Sequence, residues 1–321
     1  MTINRSNPDR WKEDIAQSVD YYNAWFMEFA PQAYRETRLV TAAKVEKALN
    51  ETCNLTNISS SLLAKHPEVL PILRMSTCPP IARDRLVGLA GVSKTLVESM
   101  EDAQNPRIPP RIAKDRLYQD LMRISTIIKR MADPDIFTWL NRASDATDIE
   151  VSRAATIVAD RLCGAVSDPI VRNAQEKRQL RVIGDWLKVR HYEYVNGVKF
   201  DEMRAGTFSF RTNVPVSLSG GSDTAHVNIP VDVVIMPWKA CQNDFPLLIE
   251  AKSAGDFTNV NKRRKEEAQK MAQLKATYGA NVRYGLFLCG YFDSGYLGYE
   301  AAEGIDWVWE HRIDDLALLD L

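Results

Sequence analysis

"LLIEAKS" (Leu247–Ser253) is an apolar run that meets a carboxylate and, two residues later, an ammonium. Side chains alternate along a strand, so Leu248, Glu250 and Lys252 share one face. Leu247, Ile249 and Ala251 take the other, against a covering helix. One strand earlier, "NIPVDVVIM" (Asn228–Met236) is expected to put Ile229, Val231, Val233 and Ile235 on a common face, with Asp232 pointing away. If the two strands are neighbours, Asp232 and Glu250 converge at one end of the sheet with Lys252 beside them.

The surrounding sequence supports a sheet. "FSFRTNVPVSL", "HVNIPVDVVIM", "FPLLIEAKS", "RYGLFLCGY" and "GIDWVWEHR" carry strand patterns, and Gly220–Gly221 is expected to turn the first into the second. "NKRRKEEAQKMAQLKATYG" reads as a helix ended by Gly279, and "NAQEKRQLRVIGDWLKVRHYEYV" as an amphipathic helix ahead of the sheet. The expected C-terminal unit is α/β (α+β), a mixed sheet flanked by helices.

Residues from about 10 to 170 read as helical. Trp11, Ile15, Val19, Tyr22, Trp25 and Phe26 recur at steps of three and four, as helix-packing core does. Further helices are expected near Arg38–Asn50, Asp84–Met100, Ile112–Met131 and Ile149–Cys163. Pro31, Pro71, Pro79–Pro80, Pro109–Pro110 and Pro134 would act as breakers between them. The expected division is a helical domain over 1–172 and an α/β domain over 173–321.

The 321 residues are 45% hydrophobic and 26% charged with net charge −1, ordinary values for a globular chain. No global basic field advertises nucleic acid, although a groove can be basic in a neutral protein. Cys53, Cys78, Cys163, Cys241 and Cys289 are odd in number and scattered, which points to buried free thiols. His66, His191, His226 and His311 are too dispersed to suggest a histidine site. The polar start "MTINRSNPDRWKED" has no signal-peptide apolar region, and no stretch approaches a membrane span. The expectation is a soluble, cytoplasmic protein.

Two converging carboxylates repel and push one pKa upward. Mg²⁺ between them removes the conflict, since it takes oxygen ligands and keeps positions for water and phosphate. Such an ion activates water and neutralises charge on a phosphate in transfer, and a nearby lysine can orient the attacking water or stabilise the pentavalent phosphate. Asp232, Glu250 and Lys252 therefore suit phosphodiester hydrolysis. The plainer alternative is a salt-bridged strand end.

"IPVD" followed by "EAK" resembles the PD-(D/E)xK nuclease superfamily, with Val231 as one extra residue between Pro230 and Asp232. "LIEAKSAGDFTNVNKRRKEEAQKMAQLKATYG", "TCPPIARDRLVGLAGVSKTLVESM" (Thr77–Met100) and "GIDWVWEHRIDDL" (Gly304–Leu316) resemble XamI-type type II restriction endonucleases. The resemblance implies a restriction-endonuclease-like fold and a Mg²⁺-dependent enzyme cutting double-stranded DNA at a short palindromic site. It also implies a third metal carboxylate on the upstream helix, for which Glu176 and Asp185 are both candidates, and a supporting role for Gln273. A palindrome is read most simply by a two-fold homodimer.

Lys262, Arg263, Arg264 and Lys265 crowd the first turn of their helix, where the dipole disfavours cations, so a phosphate backbone is expected nearby. Asn259 or Asn261 would cap that helix, and Ser253, Asp256 and Thr258 line the loop before it. The alternative is a solvated face with Glu266 and Glu267 as partners. "DRLVGLAGVSKTLVESM" reads as a helix-turn-helix in which Ser93, Lys94 and Thr95 open the recognition helix. Arg83 and Arg85 would add phosphate contacts; a plain helical hairpin capped by Ser93 is the alternative. Two other functions remain open at this stage: a structure-specific repair or junction nuclease, and a non-catalytic helix-turn-helix regulator.

Overall fold

The computed structural model describes residues 2–218, 225–241, 244–257 and 260–321, without the side chains of Asp168, Leu218, Ala225, His226 and residues 260–264. The expected turn at Gly220–Gly221, and Thr258 and Asn259, lie outside the described residues. Strand β4 (Leu247–Ala254), which carries Glu250, is interior to the sheet. Among the described residues the strand order is β1 (Glu193–Tyr194), β2 (Thr207–Leu218), β3 (Ala225–Met236), β4, β5 (Arg283–Gly290) and β6 (Asp306–Trp309). β2, β3 and β4 are successively antiparallel, while β4, β5 and β6 run parallel. Parallel neighbours need a long crossover. Helix α8 (Val260–Tyr278) supplies the first and α9 (Ser294–Ala302) the second.

Two apolar layers cover the sheet. Met271 and Leu274 of α8 and Tyr296 and Leu297 of α9 pack on Val234, Leu248, Leu286 and Leu288. On the other face, Leu180, Ile183, Trp186 and Leu187 of α7 (Asp148–Val189) pack on Phe208, Val233, Ile235, Leu247, Ile249 and Phe287. The alternation expected for β4 is therefore present.

The alternation expected for β3 is not. Val233 and Ile235 join the α7 layer, but Ile229 and Val231 join the α8 layer. β2 changes face at the matching place, from Phe208 and Phe210 to Val214 and Val216. The cause lies at Arg211, which has φ +51°, a left-handed conformation that costs a non-glycine residue energy. Phe210 pairs with Val233 and Thr212 with Val231, so the register is unchanged on both sides of the interruption. Asp232 occupies the place opposite Arg211, where the hairpin rotates.

A fork opens at the same point. β3 pairs with β4 only from Val233↔Ile249 to Ile235↔Leu247. Beyond it β3 continues with β2 to Ala225, and β4 continues with β5 to Ala254. Asp232 and Glu250 are the first residues past the last rung.

The chain divides into two compact units, Met1–Phe29 with Val171–Leu321, and Ala30–Ile170. The first differs from the expected 173–321 domain because the N-terminal segment packs with the sheet. Asp306 accepts hydrogen bonds from the N–H groups of Ile3, Asn4 and Arg5, at 2.5, 2.9 and 3.1 Å. Trp11 packs edge-on against Trp307 with ring centroids 5.4 Å apart. These contacts cover β6, an edge strand whose open hydrogen-bonding groups would otherwise invite pairing.

Pro31 does not break its helix. α1 (Pro8–Glu51) runs through it, and α7 likewise runs through Pro169, so the expected boundary near 172 falls within a helix. Each proline lies close to the residue at which its helix passes from one unit to the other.

The second unit is helical: the remainder of α1, then α2 (Ser60–Lys65), α3 (Leu70–Met75), α4 (Arg83–Ala90), α5 (Lys94–Met100), α6 (Lys114–Met131) and the first part of α7. Its core includes Leu49, Leu63, Leu73, Leu86, Leu96, Leu121, Ile124 and Val158. Inside it Arg74 holds Glu101 bidentately at 2.5 and 2.7 Å. All five cysteines are free; Cys163 and Cys289 are buried as expected, but Cys53, Cys78 and Cys241 are exposed. Among the described residues no helix is long and apolar enough to cross a membrane.

Candidate active site at the fork of the sheet

Asp232 turns its carboxylate toward the neighbouring strand. Its Oδ2 accepts the Ala251 N–H at 2.9 Å, standing in for a main-chain rung at the fork. Burial, the Glu250 charge and a hydrogen bond with Glu250 push its pKa up to about 7, against the opposing effects of the Ala251 N–H and Lys252. Asp232 and Glu250 are thus neighbours, and burial first and the Glu250 charge second account for the raised pKa.

Glu250 is 2% exposed. It is flanked by two ammonium groups: Lys252 Nζ lies 3.4 Å from Oε2, and Lys270 of α8 donates to Oε1. Lys252 Nζ also lies 3.6 Å from Glu267 Oε1, while Tyr296 of α9 donates to Glu267 Oε2 at 3.1 Å. The strand's Glu-x-Lys and the helix's Glu-x-x-Lys therefore face each other with opposite charges crossed. Burial pulls the Lys252 pKa down, but the charges of Glu250, Glu267 and Asp232 outweigh it and the pKa is raised. The Lys252 head is thereby favoured as an ammonium, which can donate to an anion. From the opposite face, buried Gln179 of α7 donates to the Lys252 carbonyl at 3.4 Å.

The sequence alone singles out neither Glu267 nor Lys270 for the site; Glu267 figures there only as a partner on the alternative, solvated face of α8. A usable signal exists: Glu267, Met271 and Leu274 fall on one stripe, and both apolar members are buried. Glu267 itself is 1% exposed.

The residues present fit a divalent cation. Two carboxylates meet at one point, and a cation there would offset both the burial and the Glu250 charge that raise the Asp232 pKa. Mg²⁺ commonly binds through one or two carboxylates plus water. Among the described residues no group of three His, Cys, Asp or Glu is placed to hold a metal. Glu176 and Asp185 are not brought into such a group; Glu176 instead pairs with Arg211 at 2.5 Å, and Asp185 is exposed. Gln273 is half-buried on α8 beyond Lys270, and the described contacts do not bring it to the cluster.

Ser253 follows Lys252 on β4 and is half-buried, and Lys265 is exposed near the start of α8. The side chains of Asn261, Lys262, Arg263 and Arg264 lie outside the described residues. In the helical unit, α4 ends at Gly91 with φ +61°, a left-handed cap suited to glycine. Ser93 Oγ then caps α5 by accepting the Leu96 N–H at 3.1 Å. Leu96, Val97 and Met100 are buried, whereas Ser93, Lys94, Thr95, Arg83 and Arg85 are exposed. The two short helices and their tight turn are present as read from the sequence, an arrangement shared by a helix-turn-helix and by a plain helical hairpin capped by Ser93.

The mixed sheet, its crossover helices and the acidic fork define a restriction-endonuclease-like nuclease. The family described as XamI restriction endonuclease matches residues 53–309. Type II restriction enzyme SalI from Streptomyces albus G is 52% identical over 317 residues, covering 98% of each chain. The chain belongs to the XamI restriction endonuclease family and is a type II restriction enzyme that cleaves double-stranded DNA. No solved structure gives a significant match.

Proposed function

We propose that the protein is a Mg²⁺-dependent endonuclease that cuts both strands of a short palindromic site, working in the cytoplasm as a homodimer. The convergence of Asp232 and Glu250 beside the Lys252 ammonium carries this reading. Asp232 and Glu250 would hold Mg²⁺, which supplies Lewis-acid charge at the scissile phosphate when bound. Lys252 donates to a non-bridging phosphate oxygen and stabilises the charge that grows there as water attacks. Glu267, fixed by Tyr296, aims the Lys252 head, and Gln179 fixes its main chain. Burial strengthens each of these interactions relative to water.

The sheet unit performs the chemistry in this reading. Ser93, Lys94, Thr95, Arg83 and Arg85 of the helical unit contact DNA, as do Ser253, Lys265 and the basic turn Asn261–Arg264. Base-edge contacts would select the site, while phosphate contacts would fix register. The test is digestion of a mapped duplex with Mg²⁺ and then with chelator. Discrete fragments that vanish with chelator are expected. A smear, or preference for branched substrates, would instead indicate a structure-specific nuclease. Specific binding without cutting would indicate a regulator.

A further inference from the structure

Each oxygen of Glu250 faces an ammonium group. Lys252 lies 3.4 Å from Oε2 and is drawn also toward Glu267. Lys270 donates to Oε1 and also to the Pro230 carbonyl, the latter at 3.1 Å. Pro230 lies on β3 and Glu250 on β4, so the Lys270 head bridges the two arms just where they separate. The bridge comes from α8, on the side of the sheet that Glu250 faces.

We infer that Lys270 is a resident counter-ion, occupying the divalent cation's place on Glu250 Oε1 and leaving when the cation binds. This rests on the reading that Asp232 and Glu250 hold that cation. The ammonium takes one of the two lone-pair sites of Oε1 and sets a full positive charge beside the other. A divalent ion and an ammonium on one carboxylate oxygen repel, so binding requires Lys270 to move. Its side chain is 22% exposed and is held by contacts to one carboxylate and one carbonyl, which allows it to withdraw toward water or toward a phosphate. Lys252, anchored at its main chain by Gln179 and near its head by Glu267, is the less able of the two to leave. Lys270 would thus be a positioning residue that weakens cation binding in the absence of substrate.

The test is calorimetric titration of the DNA-free full-length protein with MgCl₂. The Lys270→Met and Lys270→Gln variants should bind Mg²⁺ at least about tenfold more tightly than wild type, because a full positive charge beside the ion has been removed. Equal or weaker binding overturns the inference. Asp232→Asn separates the premises. If wild type binds Mg²⁺ and Asp232→Asn does not, the two-carboxylate reading stands whatever the Lys270 variants do. If wild type takes up no Mg²⁺ with or without duplex, that reading fails as well. Should both Lys270 variants fail to fold, the wild-type protein decides the matter alone. Acylation of Lys270, followed by mass spectrometry, should rise severalfold on adding Mg²⁺, and an unchanged rate overturns the inference.

Discussion

Asp232→Asn in the ion-free protein is expected to stabilise it at alkaline pH, even though the change removes a functional carboxylate. Its pKa stands at about 7 in the fold against a usual 3.8, mainly through burial and secondly through the Glu250 charge. A folded acid with a raised pKa keeps a proton that the unfolded chain releases. Stability therefore falls as pH rises between those two values, and the loss is complete above the higher one. The interval from 3.8 to about 7 corresponds to a ceiling of about 4 kcal/mol. Asp232 is partly open to water, so about 2 kcal/mol is the expected size after screening. Asparagine cannot ionise and can still accept the Ala251 N–H. In urea unfolding with chelator, the variant should exceed wild type by about 2 kcal/mol near pH 8, shrinking to about a third of that near pH 5. Saturating Mg²⁺ should stabilise wild type by about 2.7 kcal/mol at a hundredfold excess over Kd, and leave the variant little changed. A stability difference that does not vary with pH would refute the account of Asp232.

Lys252→Met should lower the single-turnover cleavage rate by about a thousandfold while leaving DNA affinity nearly intact, since it removes charge stabilisation at the reacting phosphate. Cleavage at the wild-type rate would remove Lys252 from the chemistry. Lys94→Ala and Arg83→Ala should each weaken DNA binding and reduce the salt slope by about one, if each meets a phosphate; titrations at several salt concentrations will show an unchanged slope if they do not. Gly290→Ala should destabilise the sheet unit by about 3 kcal/mol or more in thermal unfolding, an effect beyond that of ordinary surface changes. Gly290 has φ +97°, and an added Cβ would lie 2.1 Å from the Ala254 carbonyl oxygen. Arg74→Ala should cost about 3–5 kcal/mol of helical-unit stability by leaving Glu101 buried and unpaired, whereas a loss below about 1 kcal/mol would show that Glu101 finds water instead.

The β4 face assignment was legible because alternation over Leu247–Ala251 leaves only one arrangement with Glu250 and Lys252 together. The two short helices and the turn between them were legible from Gly91 and Ser93, whose capping preferences are local. The rotation of the hairpin was not, because it depends on one arginine held left-handed, a conformation that arginine does not advertise. Residues before Ala30 could not be assigned to the sheet from periodicity alone. Trp11 meets Trp307, and the Ile3–Arg5 backbone meets Asp306, across nearly the full chain length. Glu267 and Lys270 escaped notice because a charge-rich helix normally faces water. Only the buried Met271 and Leu274 beside them reveal which side of α8 turns inward.

The parting of β3 from β4 keeps two tasks on separate stretches of chain. Val233–Ile235 and Leu247–Ile249, which set the distance between the two acids, are clamped between helical layers and tolerate little change. The outer lengths of β2 and β3 share no rung with β4, so exposed residues there, unlike the buried Val214, Val216, Ile229 and Val231, can be exchanged without displacing Glu250 or Lys252. Such a scaffold lets an enzyme acquire a new target preference through the exposed side of that ribbon while its cutting machinery stays the same.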